Sequence, residues 1–314
     1  MTTHPSRSET DRQLPLGEEI FLDHVGHFVG DQATASAALA RIGFAPTSPS
    51  VQVNPDPAGG VSPTGTGNIT AMFARGYVEA LFKTADTALG RELQSALDRF
   101  SGVHLVAFSV SDAAAAHRRL ATVGFDVRPL VEMQRPVTTA TGSDVAAFTV
   151  ARVAPGAMAE GRIQILTHHT EAAVWQPRWL AHPNGAIGLV DVLIATADVT
   201  AAAARFSRFL DRETTENPFG AVVSLDRGCV QLVAPEIFTQ LVPELAVPAL
   251  PFIGLYAITV MSLAVLEQHL AKGGAAFSRV GDAILARFPE ELGTGAWMFV
   301  ERAEHLPWRG SLNP

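Results

Sequence analysis

The sequence predicts an α+β fold of four β-α-β-β-β modules, paired into two domains, and three repeated features carry that prediction. A helix-forming stretch recurs: Phe44 follows Asp31 by 13 positions and Phe125 follows Asp112 by 13, and residues 198–210 and 262–274 follow the same plan. Each copy is preceded by a β-like apolar run, at residues 21–30, 103–111, 188–197 and 252–261. Each is followed by a glycine-led closing strand, Gly76-Tyr-Val-Glu79, Gly161-Arg-Ile-Gln164, Gly228-Cys-Val-Gln231 and Gly295-Ala-Trp-Met298, which align without gaps. A unit written four times is an architecture.

Within a module, Asp31, Asp112, Asp198 or Ser262 stands where an N-cap must satisfy the first free N–H groups of the helix. The Ala/Leu/Arg stretch that follows is a good helix former, and Gly43, Gly124 and Gly273 fall where a left-handed C-terminal residue belongs. Another β-like run precedes each closing strand, at residues 69–74, 145–150, 220–225 and 283–288. One such module leaves apolar sheet surface uncovered, and pairing two modules around a shared concave face buries it. The expected divisions are a disordered tail at 1–19, a first domain at 20–169 and a connector at 170–186. A second, degenerate domain at 187–302 and a C-terminal tail at 303–314 complete the chain. The Pro/Ser/Gly-rich segment 47–66 reads as a lid loop.

Composition narrows the function classes. Apolar residues make up 47% of 314 and charged ones 17%, enough for two packed cores. The formal charge of −8, with no basic run, argues against nucleic acid or an anionic membrane as partner. No apolar run approaches the ~20 residues of a membrane span, and the polar N-terminus lacks a signal-peptide core. A lone cysteine, Cys229, has no internal disulfide partner. These features predict a cytoplasmic protein; the expected partner is a small organic substrate or ligand, with a homodimer possible.

The modular pattern resembles the vicinal oxygen chelate (VOC) superfamily of glyoxalases, extradiol dioxygenases and bleomycin-resistance proteins. It resembles more closely the glyoxalase-like domain proteins with a Leu-Asp-His opening strand, a Gly-Thr-x-Asn segment and a Tyr-Leu-Glu closing strand. Those read here as Leu22-Asp23-His24, Gly65-Thr-Gly-Asn68 and Tyr77-Val-Glu79, and His168-His169 through Trp175 and His182-Pro-Asn-Gly185 extend the likeness.

That resemblance implies metal ligands at one position on the first and one on the last strand of each module. Counting back seven residues from each cap gives His24, Leu105, Asp191 and Leu255, and the last strands give Glu79, Gln164, Gln231 and Met298. The first domain is therefore the expected functional one. His24 and Glu79 suit a divalent metal (Zn, Ni, Mn or Fe), with Glu79 also the proton shuttle and Gln164 a weak third donor or substrate contact. His104 completes the set if a β-bulge turns it inward, or His168 does so from Gln164's face. Asn68, Phe73 and Trp175, with Met72, Met133 and Phe148, are expected to line the cavity. His27 is expected on the opposite strand face from His24, and His182 to cap a turn in which Gly185 takes a positive φ. The implied function is a VOC metalloenzyme of lyase or isomerase type, acting on vicinal oxygens of a small carbonyl or phenolic compound. An Fe(II)-dependent extradiol-type dioxygenase and a metal-free sequestering protein are the alternatives.

Overall fold

The four cap residues begin four helices as their chemistry requires. Asp31, Asp112 and Asp198 accept from the backbone N–H of Thr34, Ala115 and Ala201 at 2.8–2.9 Å, and Ser262 from that of Val265. Gly43 and Gly124 take φ of +86° and +85° at the helix ends. In the fourth module the left-handed residue is Gly274, not Gly273: its helix has the same 10 residues as those of the first two modules, so Gly274 is the equivalent of Gly43 and Gly124, and Gly273 is the C-cap.

The computed structural model describes residues 12–56, 59–140 and 142–309. In chain order come β1 (Phe21–Phe28), α1 (Gln32–Arg41), β2 (Ser50–Pro55), β3 (Val61–Met72), β4 (Tyr77–Lys83) and the linking α2 (Ala88–Leu97). The second module is β5 (Gly102–Ser109), α3 (Ala113–Thr122), β6 (Val131–Thr139), β7 (Gly142–Arg152) and β8 (Arg162–His168). These eight strands close into a barrel of order β1-β4-β3-β2-β6-β7-β8-β5. The closure is a single pairing, Val53 on β2 with Gln134 on β6. Segment 47–66, expected as a lid, is thus largely the β2–β3 hairpin that seals the barrel.

A short α4 (Glu171–Val174) lies in the connector. The later modules are β9 (Ala186–Ala195), α5 (Val199–Leu210), β10 (Thr214–Asn217), β11 (Gly220–Ser224), β12 (Cys229–Val233) and the linking α6 (Pro235–Leu241). Then follow β13 (Phe252–Val260), α7 (Leu263–Lys272), β14 (Phe277–Val280), β15 (Ala283–Arg287) and β16 (Ala296–Val300). They form one eight-stranded sheet, β10-β11-β12-β9-β13-β16-β15-β14.

Three apolar clusters organise the molecule. The largest joins the outer face of the barrel, the second sheet and helices α1, α3, α5 and α7 into one core. A second lies inside the barrel, and a third fills the concave face of the second sheet. Both terminal segments, expected as tails, take part where they are described. Gln13 is buried with its amide donating to the Ala74 carbonyl, and Leu306 and Trp308 pack on the second sheet. Residues 1–11 and 310–314 lie outside the described residues.

Each first strand carries a bulged residue at the matching place, which the strand registers put at Asp23, His104, Val190 and Gly254, and β9 is bulged again at Ile187. Each of the four matching bulges immediately precedes the position that faces the concave side. The glycine leading the matching closing strand presses on the bulge: a Cβ on Gly76 would lie 2.6 Å from the Asp23 carbonyl oxygen, and one on Gly161 2.7 Å from that of His104. Only glycine permits that approach at these positive φ values.

Between barrel and sheet, His27 Nδ1 donates to the Leu292 carbonyl at 2.8 Å, so Nε2 accepts from the Tyr256 hydroxyl at 2.8 Å. Burial pushes the His27 imidazole down to about 4. In the unfolded chain the same ring titrates near 6.5, so between these values the unfolded state binds more protons. Stability is therefore expected to fall as pH drops from about 7 to about 4, by on the order of 3 kcal/mol from His27 alone. Urea unfolding across that range should show the slope, and His27→Gln should flatten it; an unchanged slope in the variant would assign the effect elsewhere.

Candidate active site

The barrel strands bring His24, Gln52, Asn68, Tyr77, Glu79 and Gln164 around a closed space of about 20 Å³, room for one water or ion. A larger groove of about 1230 Å³ runs between barrel and sheet. Its Arg41 and Glu291 pair with each other at 3.1 Å, half-exposed, and it gathers no buried acid or base.

The bulge at Asp23 builds the first part of the site. Its carboxylate, fully buried, accepts from His24 Nδ1 at 2.6 Å and from His168 Nε2 at 2.9 Å. Burial pushes this carboxyl up, but the charge and hydrogen bond of His168, then those of His24, outweigh it and hold Asp23 well below the usual carboxylate range. With its proton on Nδ1, His24 turns the lone pair of Nε2 toward Glu79, whose Oε2 lies 3.6 Å away. The other oxygen of Glu79 accepts from Asn68 Nδ2 and, at 3.3 Å, from Gln52 Nε2. Tyr77 stacks on His24 with ring centres 4.3 Å apart. Burial, then the charges of Asp23 and Glu79, push its phenol well above the ordinary value, so it stays protonated.

Of the residues singled out in the sequence, His24, Glu79, Asn68 and Gln164 meet at this cavity, joined by Met133 and Phe148. His168 stands behind the wall, bound to Asp23 and edge-on to Trp175 at 4.6 Å. Trp175 therefore supports the site from the second layer. Phe73 belongs to the outer core, against Phe44 and His182. The bulge expected in the strand of His104 is present, but all four modules share it, so Leu105 takes the inward position equivalent to His24. His104 lies at the barrel end between Phe28 and Phe100, its Nε2 donating to the Phe100 carbonyl at 2.7 Å. His182 is structural: Nδ1 accepts from Ala45 N–H, Nε2 donates to the Met72 carbonyl, and Gly185 has φ +77°.

Sequence reasoning passed over Asp23, Gln52 and three arginines. Arg135 on β6, Arg152 ending β7 and Arg162 opening β8 all line the cavity. Arg152 Nε donates to Gln164 Oε1 at 3.1 Å. The available signal was an arginine inside or bordering an apolar strand, as in Ala146-Ala-Phe-Thr-Val-Ala-Arg152.

The donor set does not fit a resident divalent metal. The implied positions supply His24 and Glu79, but the others are Leu105 and a Gln164 whose oxygen is taken by Arg152. Among the described residues, no group of three or more His, Cys, Asp or Glu is placed to hold a metal ion. A catalytic site of this kind keeps three protein ligands, and three guanidinium groups beside two donors repel a cation. In the second sheet, Asp191 is buried but accepts from Trp308 Nε1 at 2.9 Å and from Arg309, while Gln231 pairs with Asn217 at 2.8 Å. In that half Gln231 lines an outer pocket of about 480 Å³ with Trp308 and Arg309, and Asp191 is sealed behind these two residues.

Comparison with known proteins places these features in context. Residues 22–210 match the model of a family described as a glyoxalase-like domain. No curated protein matches the sequence. Among solved structures, a hypothetical protein from Staphylococcus aureus aligns with a TM-score of 0.59 at 10% identity, covering 89% of this chain and 98% of that one. A mutant of 4-hydroxymandelate synthase from Streptomyces coelicolor gives 0.53 at 15% identity, covering 90% and 92%. A Mn(II)-bound glyoxalase from Novosphingobium aromaticivorans gives 0.51 at 11% identity, covering 91% and 83%. At these identities the likeness shows the fold alone.

The bridge at Asp23 yields a direct expectation. Asp23→Asn, of the same shape, removes the charge that two buried imidazoles share and should cost about 3 kcal/mol in urea unfolding at pH 7. A loss below about 1 kcal/mol would mean the bridge contributes little as an ionised group.

Proposed function

This chain belongs to the glyoxalase-like domain family, and from that premise we propose that its first barrel is the active site of a small-molecule enzyme of lyase or isomerase type. Its substrate carries oxygens on adjacent carbons, as in a 2-hydroxycarbonyl compound. The reading rests on one observation: two proton acceptors, His24 Nε2 and Glu79 Oε2, face each other across 3.6 Å inside a closed barrel. Such a pair is stable only with a shared proton or a donor group of a ligand between them.

Each residue then has a stated task. Asn68 and Gln52 hold one oxygen of Glu79 and leave Oε2 free as the base. Asp23 fixes the tautomer of His24, so that Nε2 takes up or returns the proton at the neighbouring position. Tyr77 remains a neutral phenol stacked on His24.

The dioxygenase alternative needs two histidines and a carboxylate on one face, whereas His104 and His168 are committed to Phe100 and Asp23. The sequestering alternative keeps two points in its favour, Leu105 and Gln164 in ligand positions.

Deuterium incorporation into 2-hydroxycarbonyl compounds in D₂O, followed by NMR, tests the proposal. Wild-type protein stripped of metal by chelator should exchange the C–H between the oxygens. Glu79→Gln and His24→Gln should each slow exchange by about 10²–10⁴-fold, and Glu79→Gln should melt at or above the wild-type temperature. Exchange lost with a stoichiometric metal on chelation would restore the metalloenzyme. Tight binding without exchange would establish a sequestering protein.

A further inference from the structure

The charge around the site is opposite to that of the chain. The protein carries a formal charge of −8, yet a vestibule of about 590 Å³ at one end of the barrel is lined by Arg91, Arg99, Arg128, Arg152 and Arg162 with Glu92 as its one acid. Arg152 and Arg162 line both this vestibule and the inner cavity, so the two spaces meet at their guanidinium groups. The volume suits a small organic ligand.

The countercharge at that junction is incomplete. Glu92 is engaged by Arg128 at 2.6 Å and lies 3.9 Å from Arg162. Arg162 also lies over the Phe28 ring, 5.0 Å from its centre, and among the described residues the Arg152 side chain has only the neutral Gln164 as its hydrogen-bond partner. Burial, then the charges of Arg162 and Arg128, pushes Arg152 down to about 9, and burial pushes Arg162 down to about 10 against the pull of Glu92. From the far side of the same cavity comes Arg135. It is only 6% exposed and makes no hydrogen bond or ion pair with a described residue. Burial pushes its guanidinium down, opposed first by Tyr77 and then by Glu79. A buried guanidinium without acceptors costs several kcal/mol, and a planar fork of N–H donors is matched to an oxyanion.

We propose that the ligand of this barrel is a small organic anion, whose oxyanion is seated by Arg152 and Arg162 at the junction and whose other end reaches Arg135, Glu79 and His24. The inference rests on reading the first barrel as the active site and adds the charge class of the substrate. Carboxylate and phosphate share the required chemistry. The vestibule draws either from a solution that the rest of the acidic surface repels.

Calorimetric titration of the full chain with oxalate, pyruvate, inorganic phosphate and the neutral amide oxamide tests it. At least one anion should bind with one site per chain, and oxamide should not. Arg152→Gln and Arg162→Gln should each weaken that binding by ~30-fold or more. Tighter oxalate or pyruvate marks a carboxylate substrate, and tighter phosphate marks a phosphoryl one. If either variant fails to fold, Arg152→Lys and Arg135→Gln take its place, each expected to weaken binding as well. Absence of anion binding to wild type, equal binding of oxamide, or unchanged binding in folded variants would overturn the inference. Glu79→Gln separates the two readings, because it should bind the anion at least as tightly while losing exchange. Anion binding with no exchange in wild type defeats the catalytic reading alone, and exchange of neutral compounds without anion binding defeats this inference alone.

Discussion

The site depends on a single buried carboxylate placed by a bulge. In a regular strand Asp23 would point away from His24, since neighbouring side chains alternate. The extra residue breaks that alternation and lets Asp23 hold His24 on its own strand and His168 on β8. One carboxylate thus fixes an imidazole tautomer and ties the first module to the second. Its desolvation is offset by two charge-assisted bonds. The residue that permits this is Gly76, which clears the path of the Asp23 carbonyl.

The same frame has the opposite outcome in the second half of the chain. Asp191 occupies the position of His24, one residue after the Val190 bulge, but Arg309 and Trp308 close over it. Helix α6 and the C-terminal segment fill the concave face with Phe238, Val242, Leu306 and Trp308. Apolar area buried there stabilises the sheet at roughly 25 cal/mol per Å². The first barrel instead leaves a small polar space, and spends part of its stability on buried charge. Polar space and apolar packing are divided between the halves, which share a core through Phe44, Phe125, Phe209 and Trp297.

The repeat made the architecture legible, because caps, glycines and strand runs recur at fixed spacing and each has a local physical cause. Asp31 and Gly43 act on their own helix, so sequence suffices to place them. The site was legible where the frame was strict, at His24, Glu79 and Gln164, and in the lining residues Asn68, Met133 and Phe148. His104 misled because a bulge was inferred from the difference between two modules, whereas all four first strands contain one. Asp23 and the arginines were hidden for a different reason. Their roles arise from strands far apart in sequence, and no spacing within a module reports that Arg135 and Glu79 line the same cavity. Segment 47–66 looked like a loop by composition, yet its pairing with β3 and β6 is tertiary and overrides that weak propensity.

The two modules of the barrel carry different chemistry. The first supplies Asp23, His24, Gln52, Asn68 and Glu79, which hold and orient protons. The second supplies Arg135, Arg152, Arg162 and Gln164, which hold fixed positive charge and a dipole. In the metal frame that the fold resembles, positive charge at the centre of the barrel would come from a cation held by both modules. Here Leu105 and Gln164 have removed that cation's ligands on one side, while the same side contributes three guanidinium groups. On the proposed reading these are a single change. Bound oxygens still require positive charge beside them to stabilise what develops during proton transfer, and arginine provides it without a metal shell. Gln164, a neutral side chain where that frame has a ligand, accepts from Arg152 without cancelling its charge.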